Sequence, residues 1–177
     1  MARLVLGPPV LFIVAALQGV RVTGVATVAL AHPAPGWQMA AADVLAALAL
    51  GTLCFWAAAA LAGRRGTLSH YLVPVAAAQL PLAALAILVG PRVLAAGLGR
   101  AVTGRDEDDL LSQPLSVVAD LVPTLIAVVL VTVLVIGVLY AAYRRVTQLQ
   151  GWRLPVSFGG GLLAAEIVCR LWAWCTG

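Results

Sequence analysis

The chain has 177 residues, 63% of them hydrophobic and only 10% charged, with eleven basic residues, all arginine, seven acids and a net charge of +4. So few charges cannot clothe the surface of a water-soluble domain, and a mean hydropathy of +1.04 makes lipid the relevant solvent. The arginines are dispersed over loops without interleaved aromatics, which excludes a nucleic-acid surface and points to membrane lipids as the first partner. Exclusive use of arginine beside abundant Ala, Gly and Val suggests a GC-rich bacterial genome.

Five spans are predicted, at about 8–31, 42–62, 71–90, 115–142 and 155–174, forming one all-α transmembrane domain. Pro8 and Pro9 suit the start of the first helix, which Gln18 and Arg21 interrupt near its middle. A cleavable secretory signal is the competing reading of residues 1–31, since Ala29-Leu30-Ala31 offers a small-residue site; Arg21 between the apolar region and that site argues against it. The break HPAPGWQ leads to the second span, which ends at Gly63-Arg64-Arg65-Gly66. The third span carries Pro74 and Pro81, each of which removes a backbone donor. Residues 91–114 form a solvated loop with Arg92, Arg100, Arg105 and the acids Asp106 to Asp109. The fourth span follows, and a polar hairpin with Arg144, Arg145 and Arg153 precedes the fifth.

Arginines near the span ends give the orientation. Arg3, Arg64, Arg65, Arg144, Arg145 and Arg153 fall on one set of breaks free of acids, so the amino terminus is expected in the cytosol and the carboxyl terminus outside. Tyr71, Tyr140, Tyr143 and Trp152 would line the inner boundary, and Trp37, Trp172 and Trp174 the outer one.

Ionisable groups at bilayer depth are costly and call for partners or an aqueous cavity. Arg21 and Glu166 are expected near mid-depth, Asp120 and Arg170 nearer the outer face, with Gln18 and Gln79 also in the middle. Glu166 and Arg170 stand four apart with the acid first, the favourable order on one helix face. These six residues predict one inward-facing cluster joining the first, third, fourth and fifth spans. It reads either as structural glue, with Glu166 neutralising Arg21 and Arg170, or as a path for a substrate or proton.

Other chemistry is thin. Ser69-His70 has no evident third group to orient a nucleophile and reads as a helix cap. Gly159-Gly160-Gly161 reads as a close-packing site. Cys54, Cys169 and Cys175 form no CxxC pair and are expected as free thiols. His32 lacks a second ligand nearby, so no metal or cofactor is expected. Glu166 to Arg170 has the ExxxR spacing of CAAX-type intramembrane proteases, but that family pairs glutamates and position 165 is Ala.

The stretch 51–88, with Gly63, Arg64, Arg65, Gly66, Thr67, Tyr71, Gln79, Leu80 and Pro81, resembles the middle of bacterial Yip1-domain membrane proteins. There a span ending in a Gly-basic-Gly link precedes a proline-bearing one. The end, VLYAAYRRVTQLQGWRLPVSFGGGLLAAEIV, is similar to that family's closing helix pair, with Gln150-Gly151 in the hairpin. The resemblance implies a five-span fold with a cytosolic amino terminus. It does not carry over GTPase binding, because no DLYGP-like motif is present. The expectation is a non-enzymatic scaffold or partner-binding subunit in a bacterial cytoplasmic membrane, with a membrane protein or a second copy as partner. The alternative is a small transporter or lipid-translocating protein using the polar cluster.

Overall fold

The computed structural model describes residues 6–30, 36–64, 66–90 and 114–176, with the side chains of residues 30 and 114–121 excepted. The chain is all-helical in class, with five helices and one small hairpin among the described residues. Helix α1 spans Gly7–Gln18, α2 Trp37–Leu61, α3 Leu68–Val89, α4 Pro114–Thr147 and α5 Arg153–Cys175; strands β1 (Val20–Val22) and β2 (Val28–Leu30) lie between α1 and α2. Among the described residues four helices, α2 to α5, are long and apolar enough to cross a membrane. The expected solvated loop lies outside the described residues, apart from Pro114, which opens α4.

The first expected span is not one helix. Pro8 and Pro9 do sit in the opening turn of α1, but the helix ends at Gln18, where Gly19 adopts φ 63° and its N–H bonds back to Ala15 O. A glycine in that left-handed conformation is a standard helix stop. Beyond it, Val20, Val22, Thr23, Val25, Thr27 and Val28 are β-branched, stiff at χ1 and better suited to strands than to helix. They form an antiparallel pair with Val20 opposite Leu30 and Val22 opposite Val28. At 12 residues, α1 is about 18 Å long, too short for a hydrocarbon core of about 30 Å.

The packing shows where this broken segment goes. Gly7 abuts Ala76 and Gln79 on α3, and Gln18 lies against Gly90 beyond the end of α3, so α1 runs parallel to the second half of that helix. After Gly19 the chain turns back into the bundle. Val25, in the loop of the hairpin, meets Gly51 at the middle of α2 and Gly24 meets Glu166 on α5. The hairpin is therefore re-entrant, opening at the Trp37 end of the bundle and reaching its middle. Such backbone is tolerated at membrane depth only where protein covers it, and Val20, Val22, Val25 and Ala26 are all buried.

The opposite end is held by aromatic packing. Phe55 lies 5.4 Å from Tyr143 and 5.7 Å from Phe158, centroid to centroid, with Tyr71 tilted at 6.3 Å from Tyr143. Tyr143 donates to Ser157 Oγ at 2.5 Å, and Ser157 in turn donates to Ala58 O at 3.1 Å. Tyr71 and Tyr143 are buried, so they serve this core instead of the membrane-boundary belt expected for them. Trp37, Trp152 and Trp174 are exposed.

Arg64 donates to Gln148 O at 3.3 Å, so the α2–α3 and α4–α5 links lie side by side at one end. α5 packs along α2 and α4 along α3, while near these links α4 meets α5 through Tyr140 and Tyr143 against Phe158.

Candidate functional site

The polar groups at depth converge on the hairpin, but not in the expected pairing. Arg21, on β1, extends to Asp43 in the second turn of α2, with Nε donating to Oδ2 at 2.8 Å and Nη2 to Oδ1 at 3.0 Å. This two-pronged geometry is the strong form of an arginine–carboxylate pair. Two further N–H groups are used, one of Nη1 on Ala173 O at 3.0 Å and one of Nη2 on Thr176 Oγ1 at 2.7 Å. Trp172 Nε1 donates to Asp43 Oδ1 at 3.3 Å. The Asp43 side chain is fully buried and that of Arg21 is 14% exposed. One ion pair thus ties β1 to α2 and to the end of α5.

Glu166 serves the tip of the hairpin. Ala26 N–H donates to Oε1 at 2.8 Å and Thr27 Oγ1 donates to Oε2 at 2.7 Å. The tip is shaped by Thr23 and Gly24 N–H, both donating to Thr27 O at 3.2 Å. Gly24 is required by space, because a Cβ there would collide with Glu166 Oε2 and Thr27 Oγ1. Glu166 stands about 14 Å short of the Cys175 end of α5 at about 1.5 Å per residue, near mid-bilayer depth. The carboxylate therefore satisfies backbone and hydroxyl donors that lipid could not.

The single cluster is accordingly corrected. Glu166 does not neutralise Arg21, because the hairpin turns Arg21 toward Asp43 and presents loop donors to Glu166. Arg170 is exposed on α5 and forms no ion pair with Glu166, the one ion pair among the described residues being Arg21 with Asp43. Asp120 is on α4, and its side chain lies outside the described residues.

Gln18 and Gln79 sit on the α1–α3 contact, at opposite ends of α1. Gln79 is 2% exposed. Its Oε1 and Nε2, and Gln18 Oε1, are buried without a hydrogen-bond partner among the described residues.

Asp43, Thr27, Trp172 and Thr176 were not among the expected site residues. The signal for Asp43 was present, since it is the sole acid before Asp106 and Arg21 is the sole base between Arg3 and Arg64. Lone opposite charges in an apolar stretch are natural partners. The signal for the hairpin was the β-branched run broken by Thr23-Gly24.

Ser69 and His70 do not cap α3 as expected: the cap position is Thr67, which makes no capping side-chain bond, and its Oγ1 lies 3.1 Å from both Ser69 Oγ and His70 Nδ1 in an exposed local network. Of the three glycines, Gly161 is the packing position, facing Phe55 and Ala58, while Gly159 and Gly160 face open space. The three cysteines are free thiols, and among the described residues no group of His, Cys, Asp or Glu could hold a metal ion. No family model, curated protein or solved structure matches the chain.

Proposed function

We propose that this chain is a non-enzymatic multi-pass protein of a bacterial cytoplasmic membrane, serving as a scaffold or partner-binding subunit. The supporting observation is the closed accounting of charge at the hairpin: Arg21 is matched by Asp43, and both Glu166 oxygens are occupied by the loop. Groups so thoroughly engaged with one another act as internal fastening. The arginine-bearing links share one end, and the positive-inside bias assigns that end to the cytosol. The likeness to Yip1-domain proteins belongs to this proposal through the same two links.

A second reading, a small transporter or lipid-translocating protein, is favoured by one observation, the buried amide of Gln79 and buried Oε1 of Gln18, which have no hydrogen-bond partner among the described residues. Glu166→Gln separates the readings. In a scaffold the variant loses stability or its co-purifying partner; in a carrier it stays folded and loses flux in proteoliposomes. Retention of stability, partner and flux together would overturn both.

A further inference from the structure

Beside the contact between α2 and α5, both helices line an open apolar groove of about 720 Å³. Its walls are Cys54, Ala57, Ala58, Val156, Gly160 and Ala164. Gly160 faces empty space and is exposed, as is Ala164 one turn on. At the link end the groove runs into a second cavity of about 500 Å³, the two sharing Ala62, Gly63 and Arg153. That second cavity is lined by Arg64, Gln148, Gln150 and Arg153, with no carboxylate among its lining residues.

We propose that this compound cavity binds one anionic membrane phospholipid, with an acyl chain along Gly160 and Ala164 and the phosphate between Arg64 and Arg153. The argument is the adjacency of two opposite chemistries. The groove lies within spans whose outer surface faces hydrocarbon, so an apolar chain fills it without desolvation cost. The basin sits at the helix ends, at headgroup level, where Trp152 is 71% exposed as interfacial tryptophans are. Among the described residues no acid lines the cavity with these two guanidiniums, and arginine matches phosphate with a planar fork of donors. Arg64 donates from Nη2 to Gln148 O, which orients it, and that is its one side-chain hydrogen bond among the described residues. Basic pockets between membrane helices are known headgroup sites. The backbone builds the rim: Gly63 and Gly151 take φ 88° and 63°, and Gln148 takes φ 51°, so both links fold back tightly and keep the basin open. A partner helix would fill the groove as well, but it would need its own acids to answer the two arginines, whereas a phospholipid carries tail and anion in one molecule.

The test is lipid retention by the full-length protein in detergent, read by native mass spectrometry with dioleoyl phosphatidylglycerol and dioleoyl phosphatidylcholine as probes. The expected result is one phosphatidylglycerol per chain, held about tenfold more strongly than phosphatidylcholine. R64Q/R153Q should erase that preference, as should R153Q alone in part, with helix content by circular dichroism unchanged. G160L, which fills the groove, should weaken both lipids. Equal retention of the two lipids by the unmodified protein, or an unaltered preference in R64Q/R153Q, would overturn the proposal. So would an oxidative Cys54 to Cys54 dimer formed in native membranes, which would give the groove to a second copy.

Discussion

Arg21 and Asp43 are the pair on which the Trp37 end depends, because each is a charge that the surrounding hydrocarbon would reject alone. Asp43→Asn leaves the guanidinium buried without its counter-ion, and removing one partner of such a pair costs about 3–5 kcal/mol. A matching loss of stability is expected in detergent unfolding. The double variant R21M/D43L should recover most of it, since a packed apolar pair can equal a buried ion pair; no recovery would show that Arg21 acts mainly through Ala173 and Thr176. Gln79 makes the opposite case. Its amide is buried and unpartnered among the described residues, a state that costs about 1–3 kcal/mol. Gln79→Met, similar in shape, is expected to raise the melting temperature, and a drop would reveal a hidden partner for the amide.

At the scale of elements, the hairpin explains what was legible and what was not. Helices α2 to α5 follow directly from apolar runs punctuated by Pro, Gly and Arg, because hydrocarbon-length segments have few other ways to satisfy their backbone. Residues 8–31 carry the same hydropathy, yet hydropathy does not distinguish a helix from a protein-covered hairpin. The distinguishing features were local: Gly19 as a left-handed stop, six β-branched residues beyond it, and Gly24 at the turn. The site was partly legible for a related reason. Arg21 and Glu166 stand out as charges in apolar sequence, but depth along a continuous helix put them together, and the hairpin reassigns both. Gly24→Ala tests the element itself. Its Cβ would drive into the Glu166 carboxylate, so the variant should release the tip, visible as faster hydrogen exchange at the Ala26 amide while α2 to α5 stay protected. Unchanged exchange at that amide would mean that the tip is not held by Glu166.

Across the whole molecule, the fastening is divided between two ends. The aromatic core around Tyr143 and the paired links close one, and the hairpin with its two carboxylates closes the other. Helix α4 stands largely apart from the hairpin; only 11% of its most apolar window is buried, so its outer face is lipid-facing. If both links lie on one side of the bilayer, as the Arg64 bond to Gln148 requires, then cysteines placed at Thr67 and Gln150 in a background without native cysteines should react with a membrane-impermeant maleimide from the same side. Reaction from opposite sides would break the paired-link arrangement.

The central claim is that the first apolar stretch folds back into the bundle after Gly19. A Cβ at Gly51 lies 3.7 Å from Val25 Cβ, close to the mean of about 3.8 Å for disulfides. Were α1 continuous, Val25 would stand about 10 Å beyond Gln18 along the helix axis, away from the middle of α2. The direct measurement is therefore oxidation of V25C/G51C, with the native cysteines replaced, in membranes. Formation of the intramolecular disulfide is the predicted result; failure to form it, together with labelling of V25C by a water-soluble maleimide, would contradict the re-entrant hairpin.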